Sequence, residues 1–244
     1  MRQTILTVAE NDRIADNTFR LRLRGELPAE NVPGQFVNIQ TDPGFLRRPI
    51  SVCDAEGDTL TLLYKAVGEG TRWLSDQMPG NVLDVLTGLG NGFDLRYAGD
   101  APLLLGGGIG TAPLYSLAKR LRAAGKDVTL IMGFRRAAEV FYENEFRSLG
   151  CRVIVTTEDG SLGTRGFVTD ALPETYSYVY TCGPAPMLRA VYRAIGTSGQ
   201  FSLEERMGCG FGACMGCSIE TVGGYKRICR DGPVLRKEEL LWKD

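Results

Sequence analysis

The sequence predicts a multidomain protein: an N-terminal antiparallel β-barrel, a doubly wound α/β domain built on a parallel sheet, and a small C-terminal domain. Three observations predict this order. Short alternating segments divided by turn residues fill residues 1–98, strand-like and helix-like segments alternate over residues 99–204, and four closely spaced cysteines fall within residues 205–244. A length of 244 residues allows two domains and a small appendage.

The first domain is predicted from alternating apolar and polar side chains. In Thr18–Arg24, positions 19, 21 and 23 are apolar and positions 20, 22 and 24 are arginines, which is typical of a half-buried strand. Further strands are predicted at Thr4–Ala9, Gln35–Gln40, Ile50–Cys53, Thr59–Val67 and Asn81–Leu86, and a helix at Thr71–Gln77. Six short strands separated by glycine and proline turns favour a small antiparallel barrel.

Two polar features of this region suit a phosphate group. Arg48 offers a fork-shaped cation and Ser51 a hydroxyl at the start of a predicted strand. The segment Gly68–Arg72 opens the predicted helix, whose free N–H groups and dipole favour an anion. The alternative interpretation is that Arg47 and Arg48 are a surface arginine pair beside an ordinary capped helix.

The second domain begins with a strand, a glycine-rich turn and a helix. Pro102–Leu105 is a short apolar run, the turn Gly106–Pro113 follows, and Leu114–Ala124 has apolar residues at helical spacing. Glycines in such a turn let the backbone approach a pyrophosphate, while the helix N-terminus supplies N–H donors. The turn is not a strict G-x-G-x-x-G, because Ala112 and Pro113 stand where the last glycine would fall.

The same alternation continues to residue 204. Strands are predicted at Val128–Gly133, Arg152–Thr156, Tyr178–Cys182 and Phe201–Glu204, and helices at Val140–Leu149 and Pro184–Ile195. This order indicates a parallel, doubly wound sheet, in which ligands bind at the carboxyl ends of the strands. Cys182, Gly183 and Pro184 occupy such an end and could lie beside a bound ring. The alternative is a small buried thiol before a helix that starts with proline.

The C-terminal domain is predicted from its cysteines. Cys209, Cys214, Cys217 and Cys229 have the spacing C-x4-C-x2-C-x11-C, which is typical of a plant-type [2Fe–2S] cluster. Intervening glycines let the backbone curl around an anionic cluster and aim N–H groups at its sulfurs. A structural zinc site is an alternative, although zinc ligands usually fall in two separate knuckles. Disulfides are a further alternative.

Composition excludes several other functions. The chain has no histidine, so a histidine base, a histidine-ligated metal and a Rieske cluster are excluded. A net charge of −1 gives no electrostatic basis for binding nucleic acid or an anionic membrane.

The N-terminus lacks an apolar signal core, so we expect a reducing, cytoplasmic location. Cys53 and Cys151 have no motif around them and are interpreted as core thiols.

A nucleotide site and a [2Fe–2S] cluster in one chain imply a third redox group. Nicotinamide cofactors deliver two electrons as a hydride, whereas a [2Fe–2S] cluster accepts one. A flavin can accept two electrons together and release them singly. The sequence therefore predicts a flavin between the two, at the phosphate-binding features of the barrel.

The motifs Arg48-Pro49-Ile50-Ser51, Gly70-Thr71, Gly106–Pro113 and Cys182-Gly183-Pro184 resemble those of the ferredoxin–NADP reductase family. With the cysteine motif added, the whole chain resembles the electron-transfer subunits of class B dihydroorotate dehydrogenases. The flavin motif of the wider family commonly has an aromatic residue where this chain has Ile50.

The resemblance implies a set of binding residues. The residues that would bind FAD are Arg48, Pro49, Ile50, Ser51, Leu63, Tyr64, Lys65, Gly70 and Thr71. Those that would bind NAD are Gly106, Gly107, Gly108, Gly110, Thr111, Cys182, Gly183 and Pro184. The ligands of the [2Fe–2S] cluster would be Cys209, Cys214, Cys217 and Cys229. Arg135 and Arg136 follow the second strand of the α/β domain, where arginines could instead select the 2′-phosphate of NADP.

The resemblance also implies a partner and a reaction. The partner is an FMN-containing catalytic subunit that oxidises dihydroorotate to orotate in pyrimidine biosynthesis, paired with this chain as a heterotetramer of two copies of each. Related FAD/[2Fe–2S] subunits serve sulfhydrogenases and NAD(P)H:ferredoxin oxidoreductases, which is the alternative enzyme function. A zinc-stabilised nucleotide-sensing module is the non-catalytic alternative.

Overall fold

A computed structural model describes residues 1–42 and 44–242. One of the proline turns predicted between the strands, Asp42-Pro43-Gly44, therefore lies partly outside the described residues. The last two residues of the predicted C-terminal domain lie wholly outside them. Within them, the strands form a closed six-stranded barrel, a seven-stranded sheet and a two-stranded hairpin.

The N-terminal part is the predicted antiparallel barrel. Strands β1 to β6 are Arg2–Ala15, Thr18–Arg24, Phe36–Ile39, Arg48–Glu56, Thr59–Lys65 and Val82–Leu89, and helix α1 is Glu69–Ser75. The barrel order is β1-β2-β5-β4-β3-β6. Strand β2 has the predicted bounds, because its alternation directs Leu21 and Leu23 into the barrel core while its arginines face outward. Strand β1 continues to Ala15 rather than ending at Ala9.

The middle part is the predicted doubly wound domain. Strands β7 to β12 are Leu103–Gly107, Thr129–Phe134, Arg152–Thr157, Thr164–Arg165, Val179–Cys182 and Gly199–Ser202, and helices α2 to α4 are Leu114–Ala123, Glu143–Ser148 and Ala185–Ala194. Helix α3 begins later than predicted because Tyr142 takes a left-handed conformation with φ of 61°. Alternate sheet residues pack in two separate clusters, one with α2 and α3 and the other with α4.

The C-terminal part is joined to the sheet of the middle domain. It contains strands β13 (Ser218–Thr221) and β14 (Gly224–Arg227), helix α5 (Ile228–Asp231) and strand β15 (Val234–Arg236). Strand β15 pairs antiparallel with β12 and completes the order β10-β9-β8-β7-β11-β12-β15. The sheet is therefore not wholly parallel, because its edge strand β15, from the C-terminal part of the chain, runs antiparallel to β12.

The three parts pack against one another through both apolar clusters. Leu63 and Phe93 of the N-terminal part join the cluster around α2. Phe36 and Leu89 join Cys217, Ile228 and Cys229 in the cluster around α4. Cys53 and Cys151 are buried, as expected for core thiols. In the described chain, no helix has the length and apolar character needed to cross a membrane.

Candidate functional site

The predicted flavin residues lie where strands β4 and β5 part from each other. The β4–β5 ladder begins at the pair Val52↔Leu62 and runs to Glu56↔Thr59. Beyond it, Arg48–Ser51 pair only with β3 and Leu63–Lys65 pair only with β2. In these segments, β4 and β5 are therefore not paired with each other. Backbone N–H and C=O groups on their facing edges have no partner in the barrel ladder. Such groups need partners, and this opening fits the polar edge of a flavin.

Arg48 lies beside the start of helix α1. A Cβ at Gly70 would come within 2.5 Å of Arg48 Nε and 3.0 Å of Thr41 Oγ1, so a side chain at position 70 would displace the guanidinium from this place. Thr41 Oγ1 is buried with no partner among the described residues. A guanidinium and an unsatisfied hydroxyl at one opening are groups that a phosphate would satisfy.

Two of the predicted flavin residues have other local roles. The Thr71 hydroxyl accepts hydrogen bonds from Val67 N and Gly68 N, both at 3.0 Å, and thereby caps α1. Tyr64 is buried in the barrel core and donates its hydroxyl proton to Asn11 Oδ1 at 3.0 Å. Burial raises the pKa of the Tyr64 phenol, so it stays protonated. Leu63 is also buried, so a contact from Leu63 or Tyr64 to a flavin would use the backbone.

A cavity of about 760 Å³ opens at the carboxyl ends of the parallel strands. Gly107 ends β7, Phe134 ends β8, and Pro184 follows β11; all three line the cavity. Gly108 and Gly110 line it as well, whereas Gly106, Thr111, Cys182 and Gly183 lie behind this lining. This is the place in a doubly wound sheet where a dinucleotide is expected, and the volume suits a large ligand.

The glycines of the turn serve packing as well as access. A Cβ at Gly110 would come within 2.5 Å of Cys182 O and 2.6 Å of Gly183 Cα. A Cβ at Gly107 would collide with the Met187 sulfur. Gly108 differs, since nothing lies within 4 Å of its Cβ position and its φ is +52°. The turn therefore holds the strand ends of β7 and β11 together and leaves Gly108 open towards the cavity.

Cys182 is a neutral thiol behind this turn. Burial raises its pKa to about 12. Glu204, just after β12, lines the cavity, and desolvation raises the pKa of its carboxyl. Glu204 was not predicted as a site residue, because no motif surrounds it in the sequence.

Ion pairs close one side of the cavity. Lys65 Nζ of the barrel lies 2.7 Å from Glu139 Oε2, and Arg136 pairs with Asp16 of the barrel. Arg136 Nε is also 3.9 Å from Glu139 Oε1. Sequence reasoning singled out Lys65 and Arg136 but missed Asp16 and Glu139. No local pattern could have found the pairs Lys65–Glu139 and Arg136–Asp16, because their members lie far apart in the chain.

The four predicted cluster cysteines form two pairs. Cys209 N donates to Cys214 Sγ at 3.5 Å, and Cys229 N donates to Cys217 Sγ at 3.4 Å. Among the described residues, no three His, Cys, Asp or Glu side chains converge closely enough to hold one metal ion. Two pairs fit a [2Fe–2S] cluster, where each iron takes two cysteines, better than they fit a single zinc ion.

Backbone donors favour the thiolate form of Cys209. Cys209 Sγ accepts from Ala213 N at 3.2 Å and from Cys214 N at 3.5 Å. Burial opposes ionisation of Cys209, but these donors and the Phe211 N–H lower the pKa of its thiol to about 6. At the second pair, burial and the neighbouring Cys217 raise the pKa of Cys229 to about 12. The predicted glycines fit this loop, since Gly210 and Gly212 have φ of 77° and 94°.

Comparison with known proteins decides the family. Residues 104–193 match the oxidoreductase NAD-binding domain, and residues 204–241 match the iron–sulfur cluster binding domain of dihydroorotate dehydrogenase B. A relative from Geobacillus sp. (strain WCH70), named dihydroorotate dehydrogenase B (NAD(+)), electron transfer subunit, is 45% identical over 99% of both chains. The chain belongs to this family.

Other members and one solved structure agree with this placement. The dihydroorotate dehydrogenase B electron transfer subunit of Fusobacterium nucleatum is 43% identical over 93% of this chain and 94% of its own. A solved structure of an NADH-dependent reduced ferredoxin-NADP oxidoreductase is 31% identical with a TM-score of 0.88, covering 98% of this chain and 90% of that chain. The predicted family and the predicted fold are therefore confirmed. As an electron transfer subunit, the chain acts with a catalytic partner.

Proposed function

We propose that this chain passes electrons between a dihydroorotate-oxidising partner subunit and NAD⁺. The observation that carries the proposal is the 45% identity, over 99% of both chains, to a relative whose name states that role. The geometry supports it, because an opening for a flavin, a dinucleotide cavity and two thiol pairs occur in one packed chain.

The flavin would be FAD at the opening between β4 and β5. Arg48 and the N–H groups of Gly70 and Thr71 would hold its pyrophosphate, and Pro49, Ile50, Ser51 and Leu63–Lys65 would border its ring or ribityl chain. When bound, FAD supplies hydride exchange with NAD and single-electron exchange with an iron–sulfur cluster. The exposed side chains of β4 would hold it in place, and the barrel core behind β5 would keep water from one face.

NAD would bind in the large cavity. Gly107, Gly108, Gly110 and Pro184 would contact it, with Gly106, Thr111, Cys182 and Gly183 supporting the turn from behind. Arg136 already pairs with Asp16 and Glu139, so its charge is largely compensated. Arg135 also lines the cavity and has no ion pair among the described residues, so we propose NAD from the relatives, whose names state NAD(+).

The remaining parts of the proposal concern the assembly. The partner would carry FMN and release orotate to pyrimidine biosynthesis, and two copies of each subunit would form a heterotetramer. A cytoplasmic location suits thiolate ligands. We also propose the functional units 1–98 for FAD, 99–204 for NAD and 205–244 for the cluster, which Cys209, Cys214, Cys217 and Cys229 would hold.

A second candidate function exchanges the partner and keeps the cofactors. The similarity to the NADH-dependent reduced ferredoxin-NADP oxidoreductase, with a TM-score of 0.88, favours it. In that case a ferredoxin-linked complex would take the place of the dihydroorotate-oxidising subunit. The higher identity to the dihydroorotate dehydrogenase B subunits supports the first candidate.

One purification tests both candidates. The tagged full-length chain, expressed in its native host and purified anaerobically, should be brown-yellow, contain FAD and two irons with two sulfides per chain, and retain an FMN-containing subunit. The complex of the two should reduce NAD⁺ with dihydroorotate. Retention of a ferredoxin-linked complex without dihydroorotate activity would favour the second candidate. A colourless protein with zinc in the thiols would contradict both.

A further inference from the structure

Strand β3 is buried on both sides. Val37 and Ile39 belong to the barrel core, whereas Phe36 belongs to the cluster of side chains that includes Cys217 and Cys229. Because successive side chains of a strand alternate, Asn38 points to the same side as Phe36, towards the C-terminal part. Asn38 is the polar residue of this strand and is only 1% exposed.

The Asn38 side chain contacts the backbone of the first cluster cysteine. Asn38 Nδ2 donates to Cys209 O at 3.2 Å, across 171 residues of sequence. The carbonyl can only accept, so the amide nitrogen must face it. Asn38 Oδ1 is buried without a partner among the described residues. A buried amide with one unsatisfied group costs more on folding than an apolar side chain, so stability does not account for an asparagine here.

The next residue of the loop is fitted to the same amide. A Cβ at Gly210 would collide with Asn38 Nδ2, and Gly210 has φ of 77°. On one edge of β3, Asn38 lies opposite Pro49 of β4, the strand that borders the flavin opening. Arg47 Nη1 donates to Asn38 O at 3.3 Å. Asn38 therefore touches the strand that borders the flavin opening and the loop that carries Cys209.

We propose that Asn38 is a positioning residue that fixes the Cys209 end of the [2Fe–2S] site relative to the flavin strand. It acts on electron exchange between the two groups and not on the binding of NAD. This inference rests on the proposed function, because it assumes that the opening holds FAD and that the thiols hold the cluster.

The test compares Asn38→Leu with a matched control, Asn91→Leu. Asn91 also joins the barrel to the C-terminal part through its amide, which donates to Val234 O at 2.8 Å and to Asp231 O at 3.3 Å and accepts from Val234 N at 3.1 Å. None of these contacts involves Cys209. The full-length chain with its cofactors is mixed with NADH. Loss of flavin absorbance reports hydride transfer, and freeze-quench electron paramagnetic resonance reports cluster reduction.

We expect Asn38→Leu to slow cluster reduction severalfold, because electron exchange between two groups weakens as the distance between them increases. Hydride transfer and the iron content should stay unchanged. Asn91→Leu should keep both rates. Equal slowing in both variants would overturn the proposal, because any loosening of the C-terminal part would then have this effect. Unchanged cluster reduction in Asn38→Leu would overturn it as well.

A double-mutant cycle keeps the proposal testable if Asn38→Leu does not fold. Gly210→Ala alone should slow cluster reduction and change the resonance signal of the reduced cluster, because the added methyl displaces the amide and alanine is strained at the positive φ of this position. Combined with Asn38→Ala, which removes the collision, the same substitution should have a smaller additional effect. Strictly additive effects would contradict the contact. A wild-type chain that lacks flavin or cluster would instead refute the proposed function.

Discussion

At the scale of single residues, many polar side chains near the proposed cofactors hold the backbone. Thr71 caps α1, Asn38 holds Cys209 O, and Arg227 Nη1 donates to Gly212 O at 2.8 Å in the cysteine loop. Backbone N–H groups in turn surround the Cys209 sulfur. Groups fixed before a ligand arrives lose little freedom on binding, so these contacts preorganise the proposed sites.

Arg48 is the residue whose side chain we expect to touch the flavin phosphates directly. Arg48→Ala should weaken FAD binding about tenfold or more, because a hydrogen bond to a charged group is worth about 1.5–3 kcal/mol. Flavin occupancy of the purified chain and titration of the apoprotein with FAD measure this loss. Arg24→Ala, an exposed arginine on β2, should keep full occupancy. Normal FAD affinity in Arg48→Ala would place the phosphates elsewhere.

The sequence predicted these residues unevenly. The cysteine spacing identified all four cluster candidates, because the ligands of one cluster lie within a short stretch. Lys65 was predicted as a flavin contact, and the structure pairs its charge with Glu139. Asn38 was not singled out, since its significance depends on a loop 171 residues away.

At the scale of elements, alternation was the most reliable signal. Strand β2 has its predicted bounds because one face is apolar and the other carries arginines. The hairpin β13–β14 and strand β15 were not predicted, since they are only four and three residues long and alternate weakly. Their pairing is set by tertiary contacts, such as that between β15 and β12.

The glycine turn after β7 gives the prediction at this scale. Gly110→Ala should lower the free energy of unfolding by about 1–3 kcal/mol and weaken NADH binding, because its methyl would press on backbone atoms of Cys182 and Gly183 that cannot move independently. Thermal unfolding and NADH titration measure the two effects.

Gly196→Ala is the matched control for this substitution. Nothing lies within 4 Å of the Cβ position at Gly196, so this substitution should change the free energy of unfolding by less than about 0.5 kcal/mol. A Gly110→Ala chain as stable as this control, with normal NADH affinity, would show that the contact between the turn and β11 is dispensable.

At the scale of the whole molecule, the three proposed functional units do not form three separate bodies. Strand β15 belongs to the sheet of the NAD unit although it follows the cysteine loop. Phe36 of the barrel packs in the same cluster as Cys217 and Cys229. Ion pairs such as Lys119 with Asp54, at 2.9 Å, join α2 to the barrel. This packing fixes the distances that electron exchange requires.

The shared sheet predicts that the C-terminal part is needed for folding even without a cluster. A chain ending at residue 204 would lose β15 and expose Phe201, which is buried under Leu235 and Trp242. Exposing large apolar side chains costs about 1.5–3 kcal/mol each, a large share of the stability of a typical domain. We therefore expect this truncated chain to unfold at a markedly lower temperature and its β11 and β12 amides to exchange rapidly with solvent. Cys214→Ser removes a proposed cluster ligand that is exposed and leaves β15 in place. The β11 and β12 amides of this variant should therefore stay protected although we expect the cluster to be lost. If the truncated chain were as stable as Cys214→Ser, the C-terminal strand would be an attachment to a sheet that is complete without it.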